Sequence, residues 1–386
     1  MSEVANIPQL RFPEFGDNWE EKKLGNVTSI VMGQSPDSTS YNSNGIGLYL
    51  IQGNADIKKR KTLPRVWTDT PTKECKVGDI IMTVRAPVGA VAKSIHNACI
   101  GRGVCAIRNN QHSVSNYIYQ FLLSFEKKWV KFEQGSTFTA VNTKDVKSLK
   151  LILPPVQEQT KIAAFLTAVD NKIEQLSKKQ ELLGEYKKGA MQQIFSQAIR
   201  FKANDDSEFP DWEEKKLGDV SDCLDNRRQP LNGAERNQMK GDIPYYGANG
   251  IVDYVNDYIF DEELVLLAED GGNFNDFSSK PIAQKISGKA WVNNHAHILK
   301  AKNIIATDFL FYSLVHKDIR RYIVGGSRAK LNKSDLLSIK TILPPLEEQA
   351  KIASFLSSID NKIEQVGKQL VESKQFKKAL LQQMFV

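Results

Sequence analysis

The chain is written twice, and that constrains its fold more than any other feature. Trp19-Glu20-Glu21-Lys22-Lys23-Leu24-Gly25 returns unchanged as Trp212-Glu213-Glu214-Lys215-Lys216-Leu217-Gly218, and each copy follows a Phe-Pro pair, Phe12-Pro13 and Phe209-Pro210. Leu153-Pro154-Pro155 returns as Leu343-Pro344-Pro345, and Asp170-Asn171-Lys172-Ile173-Glu174-Gln175 returns as Asp360-Asn361-Lys362-Ile363-Glu364-Gln365. The spacing between copies falls from 193 residues at Trp19/Trp212 to 190 at Asp170/Asp360, so the first copy carries a few extra residues in its middle. A tandem repeat of this size predicts two like structural units. From Ile152 to Phe195 roughly half the positions match their copies, whereas the middles barely match. Ends kept alike around unlike interiors suggest one frame holding two different readers; an old duplication that drifted in its loops would leave a similar trace.

After Pro154-Pro155 the apolar residues fall into heptads. Ile162, Val169, Leu176, Leu183 and Ala190 lie seven apart, with Leu166 and Ile173 four residues after the first two. The second copy has Ile352, Ile359, Val366 and Leu380 on one line and Leu356, Ile363 and Leu370 on the other. A 3-4 spacing kept over several heptads predicts a coiled-coil seam. The prolines suit a first helical turn, where no N–H is needed, and Glu158 and Glu347-Glu348 place negative charge at the positive end of the helix dipole. About forty residues make a rod of about 60 Å. Neither rod can bury its stripe alone, so the two are expected to pack on each other, with Gln180, Lys187, Ser373 and Lys377 interrupting the stripe and fixing register.

The unlike interiors read as α+β modules. Strands are expected near 47–52, 79–85, 89–95 and 103–108, followed by a helix over 114–132 that buries Ile118, Phe121, Leu122, Phe125 and Trp129. In the second module they are expected near 253–259, 264–269, 282–287 and 290–300, then a helix over 307–323 using Phe309, Leu310, Leu314 and Ile319. The expected class is therefore α+β: two tandem α+β modules, each followed by a long α-helix, the helices packing as a coiled coil with a pseudo-two-fold internal repeat.

Composition sets the outer limits. With 386 residues and 41% hydrophobic content the chain can fill two or three domains. A net charge of +7 and a pI near 9.0 favour a polyanionic partner. Four scattered cysteines fit no disulfide framework. No basic-then-apolar leader and no membrane-length apolar run occurs, so the expectation is a soluble cytoplasmic protein without a membrane partner.

Candidate DNA readers follow from donor and acceptor chemistry: Arg for guanine, Asn or Gln for adenine, small hydroxyls for either. The first module offers Gln52, Asn54, Lys58, Lys59, Arg60, Arg85 and Arg102; the second offers Tyr246, Asn249, Asn273, Asn294, His295 and His297. The loop ending each module matches in spacing, Gly135 to Asn142 against Gly325 to Asn332, which adds Thr137, Asn142, Ser327, Arg328, Lys330 and Asn332. These loops can present short donors to a phosphate, or simply turn the chain into the strand before each Pro-Pro pair.

An enzyme leaves no such trace. The Pro-Pro pairs are preceded by leucine and followed by Val156 and Leu346, unlike the Asn/Asp-Pro-Pro-aromatic motif of an amino-methyltransferase. Gly271-Gly272-Asn273-Phe274 lacks the spacing of a dinucleotide loop, and no Walker loop occurs. Pro36-Asp37 with Glu74-Cys75-Lys76 is a chance-level nuclease pattern, and His295-x-His297 and His96-x-x-Cys99 lack partners at zinc spacing. No catalytic residue, metal ligand or cofactor is therefore assigned to this chain.

The two phrases Leu153–Ala163 and Leu343–Ala353, each behind a Trp-x-x-x-x-Leu-Gly opening, resemble the type I restriction–modification specificity family across essentially the whole chain. The resemblance implies target-recognition domains at 1–155 and 201–345, each followed by a conserved helix at 156–200 and 346–386. It implies a non-catalytic subunit that reads a split, non-palindromic site in double-stranded DNA. Two modification (methyltransferase) subunits would bring S-adenosylmethionine and methylate adenine; motor-nuclease restriction subunits would bring ATP and Mg. Helix pairing and partner docking would fall to Ile162, Leu166, Val169, Ile173 and Leu176 with Ile352, Leu356, Ile359, Ile363, Val366 and Leu370. Two readers on one rod should meet half-sites about one turn (~34 Å) apart. The competing reading is a coiled-coil adaptor whose modules bind protein; basic and amide residues gathered on one face of each module would favour DNA.

Overall fold

The computed structural model describes residues 7–133, 140–326 and 329–385. The chain divides into two compact units: Met1–Lys178 with Gly367–Val386, and Lys179–Val366. Each long helix therefore begins in one unit and ends in the other.

In the first unit a six-stranded sheet runs Thr28–Met32, Val104–Asn109, Ile80–Thr83, Val91–Lys93, Lys61–Thr62, Ile57–Lys58. A five-stranded sheet runs Tyr41–Asn42, Val66–Thr68, Leu48–Ile51, Ala98–Ile100, Glu74–Cys75. Successive side chains on a strand face opposite ways, and Ile80–Thr83 is buried throughout because both its faces are covered. Ile80 and Met82 share a core with Tyr117, Ile118 and Leu122 of the helix Ser115–Glu133. Ile81 packs instead with Ile51, Ile100 and Val104.

The second unit repeats this plan with fewer strands. One antiparallel sheet runs Ser221–Cys223, Ala296–Ala301, Leu264–Ala268, Ala283–Ile286; the other runs Gly250–Val255, Lys240–Gly247, Lys289–Val292, Phe260–Asp261. Val265 and Leu267 join Phe309, Leu310 and Leu314, while Leu264 and Leu266 join Phe260 and Val292.

Several elements differ from their expected bounds. The segment 290–300 is two strands, broken where Asn293 Oδ1 accepts from the His295 N–H at 2.8 Å. The helix expected to reach residue 323 is Thr307–Leu314, because the Val315 carbonyl accepts from Ile282 N (3.0 Å) and the chain turns away. The strand expected at 253–259 lies at Gly250–Val255, and its partner Lys240–Gly247 is hidden in the sequence by Pro244. That proline is tolerated because the parallel neighbour pairs only at Tyr245 and Tyr246.

The repeated phrases prove to be neighbours in space. Glu20–Lys23 pairs antiparallel with Lys150–Leu153, and Glu213–Lys216 pairs likewise with Lys340–Leu343. Each pair closes its module and delivers the chain to the long helix, Val156–Phe195 or Leu346–Gln383. Gly25 is required by this closure, since a Cβ there would lie 2.9 Å from Lys147 Cβ.

The start of each long helix is locked by a buried carboxylate. Glu158 is fully buried and accepts from Arg11 (2.7 and 2.8 Å) and Trp19 Nε1 (3.1 Å). Glu348 accepts from Arg200 (3.2 and 2.7 Å) and Trp212 Nε1 (2.9 Å) in the same way. Of the acids expected to serve the helix dipole, Glu347 alone of the second pair stays exposed. Gln159 Oε1 accepts from Val114 N while its Nε2 donates to the His112 and Pro154 carbonyls; Gln349 repeats this with Ala306, Ile304 and Pro344. The Phe-Pro equivalence is only half right. Phe12 meets both the Phe165 ring and Lys161, and in the second unit those two roles are divided between Phe201 (with Phe355) and Phe209 (with Lys351).

Within the first unit, Ile162 and Leu166 bury against Leu380 and Met384. Within the second, Ile352, Leu356 and Ile359 bury against Met191 and Ile194. Leu176, Val366 and Leu370 are also buried, whereas Val169, Ile173 and Ile363 are half-buried. Two of the polar interruptions find partners. Lys377 pairs with Asp170, which also accepts from Gln120; Lys187 pairs with Asp360 at 2.6 Å, which also accepts from the Tyr312 hydroxyl.

Candidate nucleic-acid interface

In each unit the same four segments meet at one edge. In the first, Gly101 N donates to the Ile51 carbonyl (2.8 Å), which sets the turn after Leu48–Ile51 against the turn before Val104. Gly103 must be glycine, because a Cβ there would lie 2.1 Å from the Gln52 carbonyl oxygen. Val84 N donates to the Gly103 carbonyl and Val141 N donates to the Val84 carbonyl, both at 2.9 Å, and Arg85 bridges Ala140. Gln52, Arg85, Arg102 and Asn142 are all brought to this edge and are exposed, with Asn54 exposed in the adjoining turn. The Arg102 backbone N–H and Nε both donate to Ser35 Oγ (3.1 and 3.4 Å), which fixes the side chain's root.

The second unit matches bond for bond. Asn293 N donates to the Tyr246 carbonyl (3.0 Å), Glu269 N to the His295 carbonyl (2.9 Å) and Leu331 N to the Glu269 carbonyl (2.7 Å), while Asp270 bridges Lys330. Asn249 Nδ2 donates to the Gly271 carbonyl (2.8 Å), and His295 Nδ1 meets Asp270 Oδ1 at 2.5 Å. Lys330 Nζ lies 3.0 Å from Glu269 Oε1. Tyr246, Asn249, His295 and Lys330 thus converge around the 269–273 loop, where Asn273 donates to the Pro281 carbonyl (3.1 Å).

Other expected readers have structural roles. Arg60 is committed to Glu126 and to the Val91 carbonyl, at the tip of a two-residue hairpin where Lys59 and Arg60 take φ of 49° and 63°. Lys58 is exposed on the same hairpin. Asn142 caps the helix Thr143–Ser148, accepting from Lys144 N and Asp145 N, and Asn332 precedes Lys333–Ser338 with its amide on Asp335. Thr137, Ser327 and Arg328 lie outside the described residues.

His297 is a core residue, not a surface one. It is 1% exposed; its Nε2 donates to the Leu331 carbonyl (2.8 Å) and its Nδ1 faces Asp225 (2.6 Å). Burial opposes its charge, but hydrogen bonds with Asp225, Cys223 and the Leu331 carbonyl overcome this and raise its pKa to about 9. Among the described residues, Cys223, Asp225 and His297 bring ligand-type atoms within 4.8 Å of one another. Arg228 pairs with both Asp225 and Glu269, so the protonated histidine and the arginine balance two carboxylates in one ion-paired network.

Residue type alone did not single out Asp270, Glu269 or Arg228, whose side chains pair at this edge. The available signal was position: Asp270 follows Leu264–Ala268 as Arg85 follows Ile80–Thr83.

A family model described as "Type I restriction modification DNA specificity domain" matches residues 16–183 and again 210–373. The putative type I restriction enzyme MjaX specificity subunit of Methanocaldococcus jannaschii is 37% identical over 204 residues, which are 52% of this chain and 46% of that protein. A putative specificity subunit of Haemophilus influenzae is 37% identical over 38% of this chain and 36% of its own length, so the matched segments span less than half of these relatives. The MjaVIII specificity subunit of M. jannaschii aligns over 96% of this chain and 92% of its own length at 24% identity. Among solved structures, the type I restriction–modification S subunit from M. genitalium superposes with a TM-score of 0.70 over 98% of this chain and 99% of that one, at 19% identity, which extends the likeness to the whole fold. The two family matches coincide with the two written copies, and the chain belongs to the type I restriction–modification DNA-specificity family.

Proposed function

We propose that this chain is the non-catalytic reader of a split, non-palindromic duplex DNA site, one half-site to each unit. The carrying observation is the convergent edge: identical backbone hydrogen bonds gather Gln52, Asn54, Arg85 and Arg102 in one unit and Tyr246, Asn249, His295 and Lys330 in the other. A constant frame with different side chains suits two different sequences, and the net charge of +7 suits a polyanion. Its domains run 1–155, 156–200, 201–345 and 346–386, with recognition in the first and third. Partner modification subunits supply S-adenosylmethionine and methylate adenine; motor-nuclease subunits supply ATP and Mg chemistry; the complex works in the cytoplasm. Two copies of one modification subunit fit the repeat-related exposed apolar residues Val156 and Leu346 at the helix starts, and Tyr186 and Phe376 further along.

Mapping N6-methyladenine across a genome after co-expression with the neighbouring modification subunit tests this. The expected result is a single split motif, of which one half changes when residues 212–340 are exchanged for those of a relative. Assembly without any methylation motif would refute it.

A further inference from the structure

We propose that Arg85 and Asp270 are equivalent base-reading residues of opposite polarity, one in each unit; the inference rests on the DNA-reading function above. Each is the second residue beyond the buried central strand of its unit, Ile80–Thr83 or Leu264–Ala268. Each bridges the returning segment, at Ala140 or Lys330, and the neighbouring backbone is tied down identically by Val141 N to Val84 O and by Leu331 N to Glu269 O. A backbone held on both sides presents its side chain from a fixed root, which is what discrimination between bases requires.

The two side chains carry complementary chemistry. Arg85 is exposed and, among the described residues, has no carboxylate partner, whereas Arg60 and Arg228 are both spent on carboxylates. A guanidinium offers only donors and fits the O6/N7 edge of guanine. The Asp270 side chain is 40% exposed; His295 engages its Oδ1, and among the described residues Oδ2 accepts no hydrogen bond. A carboxylate offers only acceptors and fits the amino group of cytosine or adenine. Facing a phosphate-rich duplex, an exposed carboxylate costs affinity everywhere except against such a donor. His295, bonded to Oδ1, holds the carboxylate in place and leaves Oδ2 as the free acceptor. One backbone position therefore selects a base that accepts in one half-site and a base that donates in the other.

The test uses the complex of this chain with its modification subunits and a set of duplexes, each differing from the methylated motif at one base pair. Arg85→Gln should erase about tenfold or more of the discrimination at one base pair of the half-site read by the first unit, leaving the other half-site untouched. Asp270→Asn, nearly isosteric and still able to bond His295, should do the same at one base pair of the other half-site. A uniform loss of affinity with every ratio preserved would make either residue a phosphate contact and overturn the assignment. His295→Ala separates reading from support: if it shifts the same base pair as fully as Asp270→Asn, the histidine is the reader and Asp270 only positions it. Should Asp270→Asn lower the melting temperature and abolish binding, Asp270→Glu, which keeps the acceptor, must restore the wild-type preference or the proposal falls. A wild-type complex with no split motif would instead refute the DNA-reading function itself.

Discussion

Arg200→Met should be among the most damaging single changes in the second unit. The Glu348 carboxylate is fully buried and, among the described residues, would keep only the Trp212 indole N–H as a donor. The methionine fills most of the space left by a side chain that is itself only 18% exposed, so little of the loss comes from a cavity. What remains is a buried, largely uncompensated charge, which costs about 3–5 kcal/mol. For a unit of this size that lowers the melting temperature by about 6–20 °C. Calorimetric melts of both proteins at neutral pH measure this. Adding Glu348→Gln should recover much of the loss at neutral pH, because the amide carries no charge to strand. A deficit under about 1 kcal/mol, or one that is unrelieved in the double variant, would refute the view of Glu348 as a buried anion dependent on Arg200.

Three further outcomes are expected. His297, with its pKa raised to about 9, contributes stability that is complete below pH 6.5 and lost as pH rises through about 9, worth roughly 3 kcal/mol; urea midpoints of wild type and His297→Gln should converge above that pH. Gln159→Ala leaves the Val114 N–H and two carbonyls without their side-chain partner and should cost about 2–4 kcal/mol in thermal or urea unfolding; a cost within error of zero would mean water replaces the amide. Asp170→Lys should destabilise the first unit by pressing two cations together, and adding Lys377→Asp should return about 1–2 kcal/mol of it in a double-mutant cycle, an additive result counting against the pair.

The periodic parts of this molecule were legible and the non-local parts were not. The long helices start at Val156 and Leu346, directly after the Pro-Pro pairs, because heptad spacing is a local signal. The strands Ile80–Thr83 and Leu264–Ala268 stood out as short apolar runs for the same reason. The pairing of Glu20–Lys23 with Lys150–Leu153 left no local trace, since each strand is charged or short and its partner is far along the chain. For the interface, residue type drew Gln52, Arg85, Arg102, Asn249 and His295 into its pool, and the fold brings all five to the two convergent edges. It could not tell that His297 points inward while His295, two residues earlier on the turn into the strand, is exposed, nor that Arg60 is held by Glu126. Orientation and pairing belong to the fold, and a list built on cations and amides passes over an acid such as Asp270 that the fold brings to the same edge.

The helix ion pairs reach further than stability. Asp170 and Lys187 lie in the first copy, and Asp360 and Lys377 are their counterparts in the second, each aspartate meeting the other copy's lysine. A single copy thus carries both the key and the lock, as does every exchanged descendant that keeps its helix. The joint is encoded in the stretch the copies share and owes nothing to the interiors in which they differ. A polypeptide limited to residues 7–195 is by the same logic self-complementary. It should sediment as a dimer at micromolar concentration, and a stable monomer would show that the two copies have diverged past interchange. The seam would then form between any two chains that carry this helix, whatever the interior each one holds.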